Sequence, residues 1–319
     1  MIVSFITSAI CIGVIFLYGC VGEIIMEKSG HLNLGIPGIM CVGTAGGCFG
    51  VSLYMKGLDA GASPNLIALF FIAVFFAFVF AAALGAVYGF LTVSFRANQN
   101  ITGLAVTTFG SGFAQFFMDK FVDTSGLSKA ASCFKKGLPF ADSLGWFGEI
   151  FLSHGILVYF AIAIALAAAW FLRRTRKGLY LRAVGENPAT ADAVGINVNA
   201  YKYTAILIGS GIAGLGGMFY VMNYTGSWQN ASTIQAYGWL SIALVIFTLW
   251  RPDISILGAF VFGGLYIASS YRLFGLSTSV LDVVPYVVTI IVLIITSVLD
   301  SKENQPPAAL GLSYFREER

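Results

Sequence analysis

The side chains able to do chemistry are few in this sequence, and their spacing excludes more than it allows. No pair of His or Cys stands at a ligand spacing, and His31 and His154 read as interfacial or packing residues near span ends. Cys11, Cys20, Cys41 and Cys48 fall in apolar stretches and Cys133 in a polar one, without a CxxC pair, so neither a metal centre nor a disulfide framework is expected. No GxxxxGK[ST] phosphate loop occurs, so the chain does not bind and split ATP by that route. No Ser/His/Asp set and no carboxylate pair in an apolar pocket is proposed. Catalytic residues are therefore expected to be none. What remains is polar but uncharged: Asn33, Thr107, Thr108 and Gln115, and then Asn223, Tyr224, Trp228 and Gln229 about a polar bend. Such groups suit a neutral, hydrogen-bonding solute, and Asn33, Thr107, Thr108, Gln115, Asn223 and Trp228 are the expected lining of a translocation path. Aromatics at the bend are able to stack on a base. Each of these side chains is equally able to bond a neighbouring helix.

The frame that positions them is apolar. Hydrophobic residues make up 58% of 319 positions and charged ones 10%, with a mean hydropathy of +0.84, against about 25% charged in soluble domains. Windows free of Asp, Glu, Lys and Arg run over Met1–Gly22, Ser29–Met55, Ala60–Phe95, Ala97–Met118, Ile150–Leu172, Tyr203–Trp250, Ile254–Tyr271 and Val283–Leu299. A span needs roughly 20 apolar residues. The Tyr203 window holds two spans joined by the bend Asn223–Ser232, so the expected fold is an all-α integral membrane protein, a helical bundle of about nine spans (eight to ten). The span centres then carry no ionisable residue, which removes the default sign of ion or proton coupling. The first segment lacks a charged start and a cleavage site and is read as a retained span.

Lys and Arg set the orientation. With the loop 173–202 in the cytoplasm, they fall inside twice as often as outside, which places the C-terminus in the cytoplasm of a multi-pass cell-membrane protein. The division expected is a permease-like span domain over 1–300 and a cytoplasmic tail over 301–319. Small residues four apart (Gly43 and Gly47; Ala81, Gly85 and Gly89; Gly209, Ala213 and Gly217) predict close helix packing. The matching pentapeptides at Gly110–Ala114 and Gly209–Ala213 hint at an internal repeat. Two polar segments interrupt the spans. One is the probable outer loop 119–149. The other is the loop 173–202, whose Asn187 N-cap, Pro188 at the first helical position and Gly195 just past the end spell a helix of under two turns. A capped knob between two spans suits a docking point that a partner pushes or pulls.

At that loop, Arg182-Ala183-Val184-Gly185-Glu186-Asn187-Pro188, with Ala191-Asp192 and Gly195-Ile196, resembles the coupling segment of nucleoside-type ABC permeases, within the superfamily of branched-chain amino acid and ribose importers. Ser29-Gly30-His31-Leu32-Asn33-Leu34-Gly35 with Gly38 and Met40 is similar to that family's first segment. Pro307-Ala308-Ala309-Leu310-Gly311 with Tyr314, Arg316, Glu317 and Arg319 is similar to its ending. Pro37 stands where the family usually has an acid. The resemblance implies an ABC-importer permease architecture that moves nucleosides delivered by a substrate-binding lipoprotein. It implies a second permease subunit as heterodimer partner and an ABC ATPase subunit gripping Arg182, Gly185, Glu186, Asn187, Pro188, Ala191, Asp192 and Gly195. ATP and Mg would be bound by that ATPase, none by this chain, and no nucleic acid polymer is a partner. A sugar or branched-chain amino acid permease, a stand-alone facilitator and a membrane-embedded transferase are the competing readings. Co-purification, flux from the chain alone and alanine replacement of Asn33, Gln115, Asn223 and His154 separate them.

Overall fold

The computed structural model describes residues 2–59, 62–138, 141–268, 270–271, 305–315 and scattered positions between 280 and 294. Twelve α-helices are defined among them. These are α1 (Ile2–Glu27), α2 (Ile36–Lys56), α3 (Leu66–Gly89), α4 (Gln99–Phe121), α5 (Leu127–Phe134), α6 (Gly145–Phe151), α7 (Ile156–Arg174), α8 (Arg176–Glu186), α9 (Pro188–Ala193), α10 (Val198–Phe219), α11 (Ala231–Phe247) and α12 (Pro252–Ile267). Helices α3 and α10 run on through wide π turns, Phe90–Ser94 and Tyr220–Thr225.

Six of these helices are long and apolar enough to cross a membrane: α1, α2, α3 with its π turn, α4, α7 and α10 with its π turn. Helices α11 and α12 are apolar but shorter, 17 and 16 residues. The described residues therefore carry six such helices and two short ones rather than the nine spans expected, and the window Val283–Leu299 lies largely outside them. Arg316, Glu317 and Arg319, quoted for the resemblance, also lie outside. The sequence windows otherwise coincide with helices, and the bend Asn223–Ser232 is the break between α10 and α11. Asparagine starts the helices: Asn65, Asn98, Asn187, Asn197 and Asn230 each accept a backbone N–H of the first turn, satisfying a donor that has no partner within the helix.

Two helices form the centre. In α2 and α10, 89% of the apolar window is buried, against 22% in α3, whose Phe71 and Phe75 point outward. Their contacts use the small-residue stripes. Gly43 lies against the Gly214 backbone, Gly209 against Gly22, and Gly217 against Met40; a Cβ on any of the three would collide. Close backbone approach replaces side-chain interdigitation, as lipid-embedded packing favours. Helix α1 packs on α10, α11 and α12, while α2 packs on α3 and α4.

Candidate functional site

At the end of the bundle opposite α8 and α9, tyrosines converge from three helices. Tyr220 and Tyr224, one turn apart in the π turn, stack at 5.9 Å. Tyr237 of α11 lies 5.2 Å from Tyr220 and 5.5 Å from Tyr266 of α12. Phe16 of α1 closes the group edge-on to Tyr237 and Tyr266, both at 5.8 Å. Two buried polar atoms in and after the same π turn have no protein partner, Asn223 Oδ1 and Trp228 Nε1, and the Asn223 oxygen faces Gly155 at the start of α7. The converging rings offer flat apolar faces with polar edges, the kind of surface on which a ring-shaped solute stacks.

The six path residues do not form one lining. Asn223 and Trp228 belong to the aromatic end, and Gln115 borders it, accepting from Ala231 N at 3.1 Å and donating to Asp119 at 3.1 Å. Asn33 and Thr107 sit together at the α8–α9 end. There Asn33 Oδ1 accepts from Gly35 N at 2.9 Å, and Thr107 donates to Leu34 O at 2.7 Å. Their polar groups are used in holding the turn 28–35. Thr108 is exposed and donates to Leu104 O within its own helix.

The expected end of the first span at Gly22 is corrected by α1, which runs on to include Glu23 and Glu27 in its last turns, both buried. Spaced four apart, they share one helix face. Glu23 accepts from Asn33 N at 2.9 Å, and its second oxygen has no partner; Glu27 accepts the indole N–H of Trp250. The turn carrying Trp250 is strained, with Leu249 at φ 57° and Trp250 at φ 54°, a left-handed backbone that costs about 1–3 kcal/mol for a residue with a side chain. Lys202, expected in a loop, is likewise buried inside α10. Pro37 occupies the first turn of α2, where its missing N–H costs nothing, and its Cα packs on Gly238 of α11.

The short loop helix α9 folds as its sequence spells. Asn187 Oδ1 accepts from Thr190 N at 3.0 Å, Pro188 opens α9, and Gly195 ends it at φ +87°. Ala191 is buried with Val184 and Val198 in a small separate core. Outward it presents Thr190, Ala193, Gly195 and Val194, the last 72% exposed. Gly185 lies on the backbone of Lys28, where a Cβ would collide. Arg182, Glu186 and Lys28 line a cavity of about 590 Å³ with Arg173, Trp250 and Arg251, and the buried Nε of Arg182 has no partner. Burial lowers the Lys28 ammonium from its ordinary value, opposed by the nearby Glu186 carboxylate. Asp192 accepts the hydroxyl of Tyr314 at 2.8 Å. Among the described residues no group of three His, Cys, Asp or Glu is placed to hold a metal ion.

Sequence reasoning named Tyr224 but missed the other tyrosines of the wall, the carboxylate pair and the docking of Tyr314. The four-residue spacings Tyr220/Tyr224 and Glu23/Glu27 were the available signals. For Tyr314 none existed beyond the resemblance.

Comparison with known proteins places this geometry. The family described as "Branched-chain amino acid transport system / permease component" matches residues 2–293. A protein of Haloferax volcanii provisionally named a glucose ABC transporter permease is 33% identical over 253 residues, 78% of this chain and 71% of that one. The nucleoside ABC transporter permease NupC of Lactococcus lactis is 28% identical, covering 94% and 93%. The guanosine ABC transporter permease NupQ of Bacillus subtilis is 30% identical, covering 93% and 92%. With six membrane-capable helices and a match along nearly its whole length, the chain belongs to this family of ABC transporter permeases, multi-pass proteins of the plasma membrane.

Proposed function

We propose that the chain is the permease subunit of an ABC importer that passes nucleosides across the membrane. The observation that carries the substrate is the tyrosine wall of Tyr220, Tyr224, Tyr237 and Tyr266. A base stacks on such rings. The relatives named for nucleoside and guanosine transport support the same reading. A substrate-binding lipoprotein delivers the solute at this end. At the other, the exposed Val194 edge of α9 seats in a cleft of an ATPase subunit, which binds ATP and Mg, so that nucleotide-driven closure moves α7 and α10. The α8–α9 end and the C-terminus face the cytoplasm, and a second, different permease completes the pair.

A sugar is the second reading, favoured by the relative named for glucose, since sugar rings also stack on aromatic faces. The test is to purify the tagged chain from its membrane, identify co-purifying proteins by mass spectrometry, and measure ATP-driven uptake of guanosine, uridine, ribose and glucose in proteoliposomes. An ATPase, a second permease and nucleoside uptake are expected. In Tyr224→Ala and Asn223→Ala the KM rises with the complex intact. Uptake of glucose alone moves the assignment to sugars; downhill flux from the chain alone makes it a facilitator.

A further inference from the structure

We propose that residues 305–315 are a strap that fixes the position of the α9 knob relative to spans other than the knob's own chain neighbours, with Tyr314 as its positioning residue. This rests on the reading of α9 as the ATPase docking point.

The anchors run in order along the segment. Ala308 N donates to the Glu186 carboxylate at 3.2 Å and Ala309 N to Gly185 O at 3.0 Å, which pins the strap to the end of α8. Gly311 N donates to Gly30 O at 3.1 Å, in the turn between α1 and α2. Leu312 O accepts from the Gln99 amide at 3.4 Å and Ser313 donates to Arg96 O at 3.4 Å, both at the start of α4. Tyr314 then donates to Asp192 of α9 at 2.8 Å, and the Arg96 guanidinium lies 4.6 Å over the ring of Phe315.

Two features make this more than a tail lying on a surface. A helix of six residues does not hold itself together, and of its own residues α9 buries only Ala191, against Val184 of α8 and Val198 of α10. The Tyr314 ring packs on that cluster while its hydroxyl holds Asp192. Beside it a cavity of about 600 Å³ separates α9 from Val93, Ser94 and Arg96, so on this side the strap bridges a gap that helix packing leaves open. The path for the strap is made by Gly30, at φ +88°, where a Cβ would sit 3.3 Å from Ala309 O. By chain connectivity α9 pulls only on α8 and α10. Through the strap it also pulls on the α1–α2 turn and on α4, the helices around the central α2.

The experiment compares Tyr314→Phe, Asp192→Ala and the double variant in the purified complex. It reads hydrogen exchange of the α9 amides and ATP hydrolysed per guanosine moved. Loss of one hydrogen bond is expected to speed exchange over residues 190–196 about fivefold. The double variant is expected to add nothing to either single one. In Tyr314→Phe, ATP per guanosine is expected to rise while ATPase co-purification holds. A merely structural role predicts lower yield with an unchanged ratio. Unchanged exchange, additive effects, or faster exchange with an unchanged ratio each overturns the strap. Val194→Glu tests docking separately: if its coupling stays normal the docking reading fails, and the exchange result alone then decides the strap. The exchange result decides likewise if guanosine is not carried.

Discussion

Trp250 donates its indole N–H to Glu27 across 223 positions of sequence, so a strained turn after α11 is held to the buried end of α1 by one hydrogen bond. Removing the donor and replacing the carboxyl then have unequal effects. In Trp250→Phe the Glu27 carboxylate is left buried without that partner, which costs about 1–3 kcal/mol or more. In Glu27→Gln the amide oxygen still accepts from the indole. Thermal unfolding in detergent should therefore drop for Trp250→Phe well below Glu27→Gln; the reverse order would mean that the indole does not hold the carboxylate.

Helix packing gives a second contrast. A Cβ at Gly43 meets the Gly214 backbone, whereas one at Gly112 meets nothing within 4 Å. Gly43→Ala forces α2 and α10 apart at about 1–3 kcal/mol. Gly112→Ala, in an exposed helical position, gains about 0.5–1 kcal/mol of helix preference. The two melting temperatures should move in opposite directions.

Asn187→Ala removes the side chain that accepts from Thr190 N and costs the start of α9 about 1 kcal/mol. The spans keep their fold. Uptake in proteoliposomes should fall while ATP hydrolysis persists, and unchanged uptake would show that α9 does not need its cap.

The turn between α1 and α2, outside both spans, carries a pH dependence. Burial first, and then the charge of Lys202, holds the His31 imidazole well below its ordinary value of 6.5. Its Nδ1 is buried without a partner, and its ring lies edge-on to Tyr88. Below pH 6.5 the unfolded chain takes up a proton that the folded chain refuses, so stability falls as the pH falls and is level above 6.5. Melting temperatures at pH 5 and 7.5 should differ for the wild type, and the difference should shrink in His31→Gln.

Much of the fold was legible because lipid makes a simple demand: apolar runs of sufficient length became α2, α3, α4, α7 and the α10–α11 pair. The Asn187 cap and Pro188 likewise marked where α9 begins. Reading charge as the end of a span failed at Glu23 and Glu27, because what keeps them buried, Asn33 N and the Trp250 indole, arrives from elsewhere in the chain. Polar residue type alone did not separate path from scaffold. Asn33 and Thr107 turned out to bond a local turn, while Asn223 and Trp228 kept a free atom. The strap was illegible for a further reason: its anchors at Gly185 and Gly30 are backbone to backbone, and such bonds leave no pattern of side chains.

Helices α11 and α12 have a consequence for the surrounding bilayer. At 17 and 16 residues they rise about 24–26 Å, short of a hydrocarbon thickness of about 30 Å. The face of α12 that bears Leu257 and Val261 is exposed, so lipid beside it must thin to match. That deformation costs a fraction of a kcal/mol per Å, and covering the face with another protein removes it. Hydrophobic mismatch thus supplies a membrane-borne attraction toward a neighbouring subunit, one that strengthens as the bilayer thickens.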